Sequence, residues 1–318
     1  MDLHKKMELH TRSATIAIIT CRRPIWLKRL LESLTKQSVD KNTLLNILVV
    51  DNASEQTAVD IVNEASSISP FKITYACEKT AGIVAARNKC VTEFLQTDAQ
   101  YLFFIDDDEW PAENDWAQKL LNKQKEYNAD VVTSHILSVG EQDTPSWAVE
   151  LIYGKNPLKE GDVVNKFYTN NLLICRHVLE KITPAFDKRF AMTGASDYHF
   201  SLKCHKAGFK AFYTDAPVIE EFPKSRATIK WFLRRGFRSG IGFTRSHLFE
   251  DSFLLAVFYC LIMAGTRFVR GLVYCLVGLI TFNKTTVVNG LFRFCSFAGT
   301  ISGFFGIKFE EYKTIHGN

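Results

Sequence analysis

The sequence predicts an α/β fold, a doubly wound parallel sheet followed by an apolar helical segment, and three observations carry that prediction. Short continuous apolar runs alternate with amphipathic runs through the first third of the chain. Three aspartates directly follow one of those apolar runs, and after Asp251 the composition changes to apolar stretches edged with arginine. Apolar runs of about four to eight residues, bounded by turn residues and separated by helical periodicity, are what strands buried on both faces look like.

The elements follow in order. From Ala14 the pattern ATIAIIT, the turn CRRP, the amphipathic IWLKRLLESLTKQ and then LLNILVVDNAS read as strand, helix and strand. FKITYAC, a helix from Gly82 to Phe94, and YLFFI ending in Asp106 add a third unit, so the first half is βαβαβ. Ligands of such sheets bind at the carboxyl ends of the strands. Thr20, Asp51 and Asp106 each fall at one of those ends. The stretch from Glu141 to Lys166, rich in Gly, Pro and polar residues with Trp147 and Tyr153 interspersed, predicts a long loop crossing the site. NNLLIC then reads as a strand, a helix begins near Arg176, and SDYHFSLKCHKAGFK reads as a helix stopped by Gly208.

Residues 1–250 are expected to form the catalytic domain and 251–318 a tail. In the tail, SFLLAVFYCLIMAG and GLVYCLVGLITF are separated by TRFVR, which brings in Arg267 and Arg270. Neither run reaches the roughly twenty residues of a spanning helix. With GLFRFCSFAGTISGFFGI behind them, they suit helices lying in the membrane interface, the cations meeting anionic headgroups. The alternative is a helical subdomain or an oligomer interface packed on the core.

Composition narrows the classes. Of 318 residues, 47% are hydrophobic and 23% charged, which excludes disordered and collagen-like chains. Eight cysteines with no Cys-x-x-Cys pair argue against zinc knuckles and disulfide frameworks and read as reduced thiols. The start MDLHKKMELHTRS has no apolar stretch after it, so the chain is expected to begin in the cytoplasm. A net charge of +5 is modest, and the basic cluster from Lys224 to Arg245 has no nucleic-acid motif with it, so it predicts a local anionic partner and not a nucleic acid.

The sharpest chemical feature is Asp106, Asp107 and Asp108 after YLFFI. On an extended chain Asp106 and Asp108 project to one side, and a hard divalent cation, Mg²⁺ or Mn²⁺, would relieve their repulsion and clamp a diphosphate. The plain alternative is an acidic turn capping the next helix. Asp51, followed by Asn52 and Ser54, can accept hydrogen bonds from a base or ribose, though all three are ordinary turn residues. Arg87 in TAGIVAARN suits a phosphate or a base face. Asp197 in GASDYHF is a candidate proton acceptor for a substrate hydroxyl, against the alternative that Ser196 or Asp197 caps a helix. His199, Cys204 and His205 match no zinc spacing. WFLRRGFRSG places Arg234, Arg235 and Arg238 around a glycine, where guanidinium forks could hold the donor diphosphate, a lipid-linked acceptor's phosphates or headgroups.

Together TCRRP, VVDNAS, GIVAARN, FIDDDEWP, YTNNLL, GASDYHF, RRGFRSG and AGTISGFFGIK resemble the family 2 glycosyltransferases of GT-A fold, and more narrowly the succinoglycan-type glucosyltransferases of exopolysaccharide assembly. The resemblance implies an inverting transfer of a hexose, glucose first among candidates, from a UDP-sugar to a polyprenyl-diphosphate-linked oligosaccharide at the cytoplasmic face of the bacterial inner membrane. It makes Thr20, Asp51, Arg87, Asp106, Asp107, Arg235 and Arg238 the nucleotide-sugar set, Asp106 and Asp108 the metal and diphosphate residues, and Asp197 the general base. The sequence departs from the pattern twice. Ser196 stands where a glutamate precedes the base, and Ile219 in APVIEEF stands where a further metal-ligand histidine is common, leaving Glu220 or Glu221 to substitute. Two rivals remain. A nucleotidyltransferase would have a glycine-rich loop where TCRRPIW stands. A non-catalytic sugar-nucleotide-binding or membrane scaffold protein is compatible with the two departures.

Overall fold

A computed structural model describes residues 12–154, 156–307 and 309; the N-terminal segment before Arg12 lies outside the described residues. The chain runs β1 (Arg12–Thr20), α1 (Pro24–Leu34), β2 (Thr43–Asp51), α2 (Val59–Ile68), β3 (Lys72–Cys77), α3 (Ile83–Leu95), β4 (Tyr101–Asp106), β5 (Glu109–Pro111), α4 (Trp116–Tyr127), β6 (Val131–Thr133) and β7 (Ile136–Gly140). It continues through α5 (Ser146–Tyr153), β8 (Val163–Val164), β9 (Leu172–Cys175), α6 (Arg176–Lys181), α7 (Ser196–Lys206), β10 (Ala211–Tyr213), β11 (Val218–Phe222), α8 (Ile229–Glu250), α9 (Phe253–Ile280) and α10 (Lys284–Phe304).

An eight-stranded sheet has the order β3-β2-β1-β4-β9-β6-β10-β8. Its first half is parallel, as the βαβαβ pattern predicts. The second half is mixed, because β9 runs antiparallel to both β4 and β6. Alternation along the strands explains the unbroken apolar runs. Ile16, Ile18, Phe103 and Ile105 pack with α1 and Trp116 on one face, while Ala17, Leu102 and Phe104 pack with Val84, Phe94 and Phe186 on the other. Both faces are covered, so nearly every central position of these strands is apolar. Each fully buried Leu, Ile or Phe contributes about 1.5–3 kcal/mol relative to exposure. The eight cysteines are free.

Two expectations need correction. The segment from Glu141 to Lys166 is not one long loop, because α5 forms inside it. Ala148 is fully buried with Phe222, Phe232 and Val288, and the Trp147 ring lies 5.6 Å from that of Phe232. The two apolar runs of the tail are also one helix. TRFVR contains no proline, and α9 continues through it for 28 residues, roughly 42 Å at 1.5 Å per residue. By length and composition that helix is long enough to cross a membrane.

The tail returns as α10 along α8, and glycines allow the close approach. A Cβ on Gly240 would collide with the Ser296 carbonyl oxygen and lie 2.5 Å from the Thr300 nitrogen; one on Gly303 would lie 2.7 Å from Thr244 Cβ. The Thr244 hydroxyl donates to the Thr300 carbonyl at 2.8 Å. The glycines of RRGFRSG and AGTISG are therefore packing residues.

Candidate active site

The register levels Thr20 with Asp51 and Ile19 with Asp106, so the predicted strand-end residues do come to one edge of the sheet. The aspartate triplet itself is not extended. Asp107 and Asp108 form a tight turn between β4 and β5, so strand alternation does not place them. Asp107 is locked instead: Thr20 Oγ1 donates to its Oδ2 at 2.8 Å and Arg23 Nη1 to its Oδ1 at 2.8 Å. Arg23 also stands 3.6 Å from Asp108 Oδ2. Thr20 and Asp107, expected as nucleotide contacts, thus brace one another, and Arg23 joins them. The signal for Arg23 was the CRRP turn, which the strand register brings opposite the aspartates.

Asp51 is wholly buried. Its oxygens accept the Ala53 and Ala58 amides, each at 2.9 Å, and the Tyr75 hydroxyl at 3.3 Å. That geometry gives it the task of shaping the 52–58 loop. Asn52, read in the sequence as an ordinary turn residue, braces the neighbouring loop. Its amide donates to the Glu78 and Thr80 carbonyls, each at 2.8 Å, and its oxygen accepts Gly82 N at 2.9 Å. Gly82, at φ 118°, turns the chain into α3, in a region where only glycine is comfortable.

Arg87 projects from α3 and is buried. Its Nη1 donates to the Ser196 hydroxyl at 3.0 Å, and its Nε has no hydrogen-bond partner. The serine that replaces the family's glutamate therefore meets Arg87 directly. Asp197 follows on α7, half-buried. Ala195 is the N-cap with no side-chain cap, so neither Ser196 nor Asp197 caps the helix; Asp197 Oδ1 accepts the Tyr198 amide at 2.8 Å.

Electrostatics show what stands together. Desolvation first, then the Asp108 and Asp197 carboxylates, raise Asp106 above the usual carboxylate range, with Arg87 and Arg23 opposing. Glu220 is raised by desolvation and by Asp108. Desolvation raises Glu109 well above its ordinary value, helped by Asp106, Glu220 and Asp108. Strand alternation on β11 separates the two glutamates after Ile219. Glu220 faces inward, opposite Glu109 and hydrogen-bonded by the Tyr153 hydroxyl, whereas Glu221 pairs with Arg29. Ile219 lies between Trp110 and Leu137 in the three-stranded β5-β11-β7 sheet.

Arg235, half-buried on α8 with its guanidinium 5.2 Å from the Trp231 ring, pulls down the Glu220 and Tyr153 pKa values and so belongs to this cluster. Arg238 is half-buried on the same helix and Arg234 is exposed. His199 is buried with Nε2 2.8 Å from Glu250 Oε1, away from any metal role.

The surplus of buried carboxylate charge at Asp106, Asp108, Glu109 and Glu220 suits a hard divalent cation, which would relieve it. Among the described residues no three Asp, Glu, His or Cys side chains converge to cage an ion on their own. An ion held here would therefore complete its shell with phosphate oxygens and water, as magnesium sites commonly do.

Residues 15–183 match the model of glycosyl transferase family 2, and the chain belongs to that family. Its fold is the GT-A fold of glycosyltransferases. It is 28% identical over 317 residues to the succinoglycan biosynthesis protein ExoM of Rhizobium meliloti (strain 1021), across 96% of this chain and 97% of that protein. Among solved structures it is similar to the mannosyltransferase PcManGT of Pyrobaculum calidifontis in complex with GDP-Man and Mn²⁺. There the TM-score is 0.63 and the identity 15%, over 92% of this chain and 87% of that one. S. aureus TarS 1–349 in complex with UDP-GlcNAc matches with TM-score 0.52 and 13% identity, over 96% and 95%.

Proposed function

We propose that this glycosyltransferase moves a hexose from a UDP-sugar, with inversion, to a hydroxyl of a lipid-linked oligosaccharide in exopolysaccharide synthesis. The observation that carries the proposal is the 3.0 Å hydrogen bond from Arg87 to Ser196, which ties the start of α7, and with it Asp197, to α3 beside the strand end that bears Asp106. One group suits the donor diphosphate and the other the acceptor proton, and they come from distant segments to one place.

Asp106 and Asp108 would hold Mg²⁺ or Mn²⁺ with the donor phosphates, and Glu220 is the better placed of the two glutamates to support them. When bound, the ion supplies charge neutralisation of the departing diphosphate. The protein's own groups do the rest. Asp107, fixed by Thr20 and Arg23, sets the turn; Arg87 and Arg235 bring cations to the same edge; Asp197 accepts the acceptor hydroxyl's proton as the glycosidic bond forms. Relatives support the donor class: PcManGT was solved with GDP-Man and Mn²⁺ and TarS with UDP-GlcNAc. ExoM, similar along nearly its whole length, supports the exopolysaccharide context.

The tail from residue 251 is read as a membrane-surface element on the cytoplasmic side of the inner membrane. Its support is the outer side of α9, where Leu254, Phe258, Leu261, Val269, Leu276 and Ile280 are all exposed. The test is a thermal-shift screen of nucleotide sugars with and without Mn²⁺, since a ligand of the native state raises apparent stability. A UDP-sugar should shift Tm in a metal-dependent way. No shift from any nucleotide sugar would overturn the donor assignment.

A further inference from the structure

On the side of Asp197 away from the aspartate turn the charges change sign. Lys166 Nζ lies 5.5 Å from the Tyr198 ring and 5.7 Å from the Phe243 ring, and Arg267 Cζ lies 5.0 Å from that same Phe243 ring. Two cations from different elements, one preceding β9 and one on α9, thus share a single aromatic residue of α8. Tyr198, the neighbour of Asp197, stacks on Phe243 with centroids 5.7 Å apart. Among the described residues neither cation has a carboxylate partner, and the hydrogen bond of Arg267 goes to the neutral Thr300 hydroxyl. Other arginines near the site are compensated, Arg23 by Asp107 and Arg29 by Glu221.

Like charges gathered on aromatic faces without a counter-ion repel one another, and aromatic contact leaves their N–H donors available. Burial first, and then the Arg267 charge, hold the Lys166 ammonium below its usual value. Tyr168 ties this cluster to the base: desolvation and the Asp197 carboxylate raise its phenol, while Arg235 and Arg267 pull it down. Neighbours crowd their polar ends, yet Lys166 and Tyr168 both keep solvent-exposed surface, so a solute can reach them. Beyond Arg267 the exposed surface of α9 carries Arg270 and is otherwise largely apolar. A cationic seat beside the exposed apolar face of a helix fits one molecule with an anionic head and a long apolar chain.

We infer that Lys166 and Arg267, with the Tyr168 hydroxyl, seat the phosphate or diphosphate head of a prenyl-type acceptor beside Asp197. This inference rests on the proposed transfer to a lipid-linked acceptor and adds where that acceptor's anionic group is held. The test is equilibrium binding of farnesyl diphosphate to the full chain in detergent with a chelator present, for the wild type, Lys166→Gln, Arg267→Gln and Arg267→Lys. Affinity should fall about tenfold to a hundredfold in the two glutamine variants, as for loss of a charge-assisted hydrogen bond, and be largely kept in Arg267→Lys. UDP binding with Mn²⁺, unchanged in all of them, reports that the fold survives. Unaltered farnesyl diphosphate affinity in Lys166→Gln would overturn the inference. So would loss of co-sedimentation with phosphatidylglycerol vesicles while farnesyl diphosphate binding stays intact, since the cations would then serve bilayer headgroups. If farnesyl diphosphate binding behaves as expected but no sugar passes to a prenyl-diphosphate acceptor, the seat stands and the proposed transfer fails.

Discussion

At the ends of β1 and β4 position is set by charged and polar side chains holding one another, as Thr20 and Arg23 hold Asp107. In α8, α9 and α10 it is set by the lack of side chains, with Gly240 against Ser296 and Gly303 against Thr244. The difference teaches where each region can fail. At the sheet edge a carboxylate-to-amide change keeps the side-chain volume and loses chemistry first. The helical unit loses structure first, and the loss passes to the site: Gly242 of α8 abuts Ala195, and Arg245 donates to Thr193 Oγ1 and the Arg189 carbonyl, each at 2.7 Å. The helix that carries Asp197 is therefore seated on α8, and α8 on α10.

The largest expected effect on this comparison is Asp108→Asn. It removes one carboxylate of the metal pair and no core contact, so transfer should fall by orders of magnitude while the thermal unfolding curve of the apo-protein stays close to wild type. Turnover near wild type in saturating metal would refute the clamp. Next is Asp197→Asn, expected to cost on the order of a hundredfold to ten-thousandfold in turnover with UDP-sugar affinity retained, measured by titration. A matching loss of donor affinity would move Asp197 to the nucleotide site.

Gly240→Val should act in the opposite way, lowering stability by about 1–3 kcal/mol or more through overpacking, seen as a lower Tm. UDP binding at the sheet edge should suffer less than transfer. If both fall equally, the two regions are not separable. The smallest effect is Glu221→Gln. Its partner Arg29 is about a third exposed, as is Glu221 itself, and a pair of that kind is worth about 0–1 kcal/mol, so activity within a few-fold of wild type is expected in steady-state assays.

The first region was largely legible in the sequence. The period of the apolar runs announced the strands, and the position of Asp106 after YLFFI announced the edge. What could not be read was which aspartate is braced and by what, since the Thr20–Asp107 bond spans 87 positions and depends on a turn where an extended chain was expected. Glu220 and Glu221 were indistinguishable until β11 gained its partners. The second region was misread for a physical reason. Arg267 and Arg270 look like an interruption when apolar runs are scored by hydropathy, yet a helix can carry an inward arginine if a neighbour receives it, as Thr300 and Phe243 do here. The glycine of RRGFRSG stood in the sequence only as the residue around which the arginines gather, and the presence of α10 reveals it as a contact surface.

The most direct test of the account is sugar transfer itself, from radiolabelled UDP-glucose to a polyprenyl-diphosphate-linked oligosaccharide, by the purified full chain with Mg²⁺ or Mn²⁺. The account predicts labelled lipid product from the wild type, its disappearance with EDTA, and little or none from Asp108→Asn or Asp197→Asn. Product formed at wild-type rate by Asp197→Asn, or formed undiminished in EDTA, would contradict it.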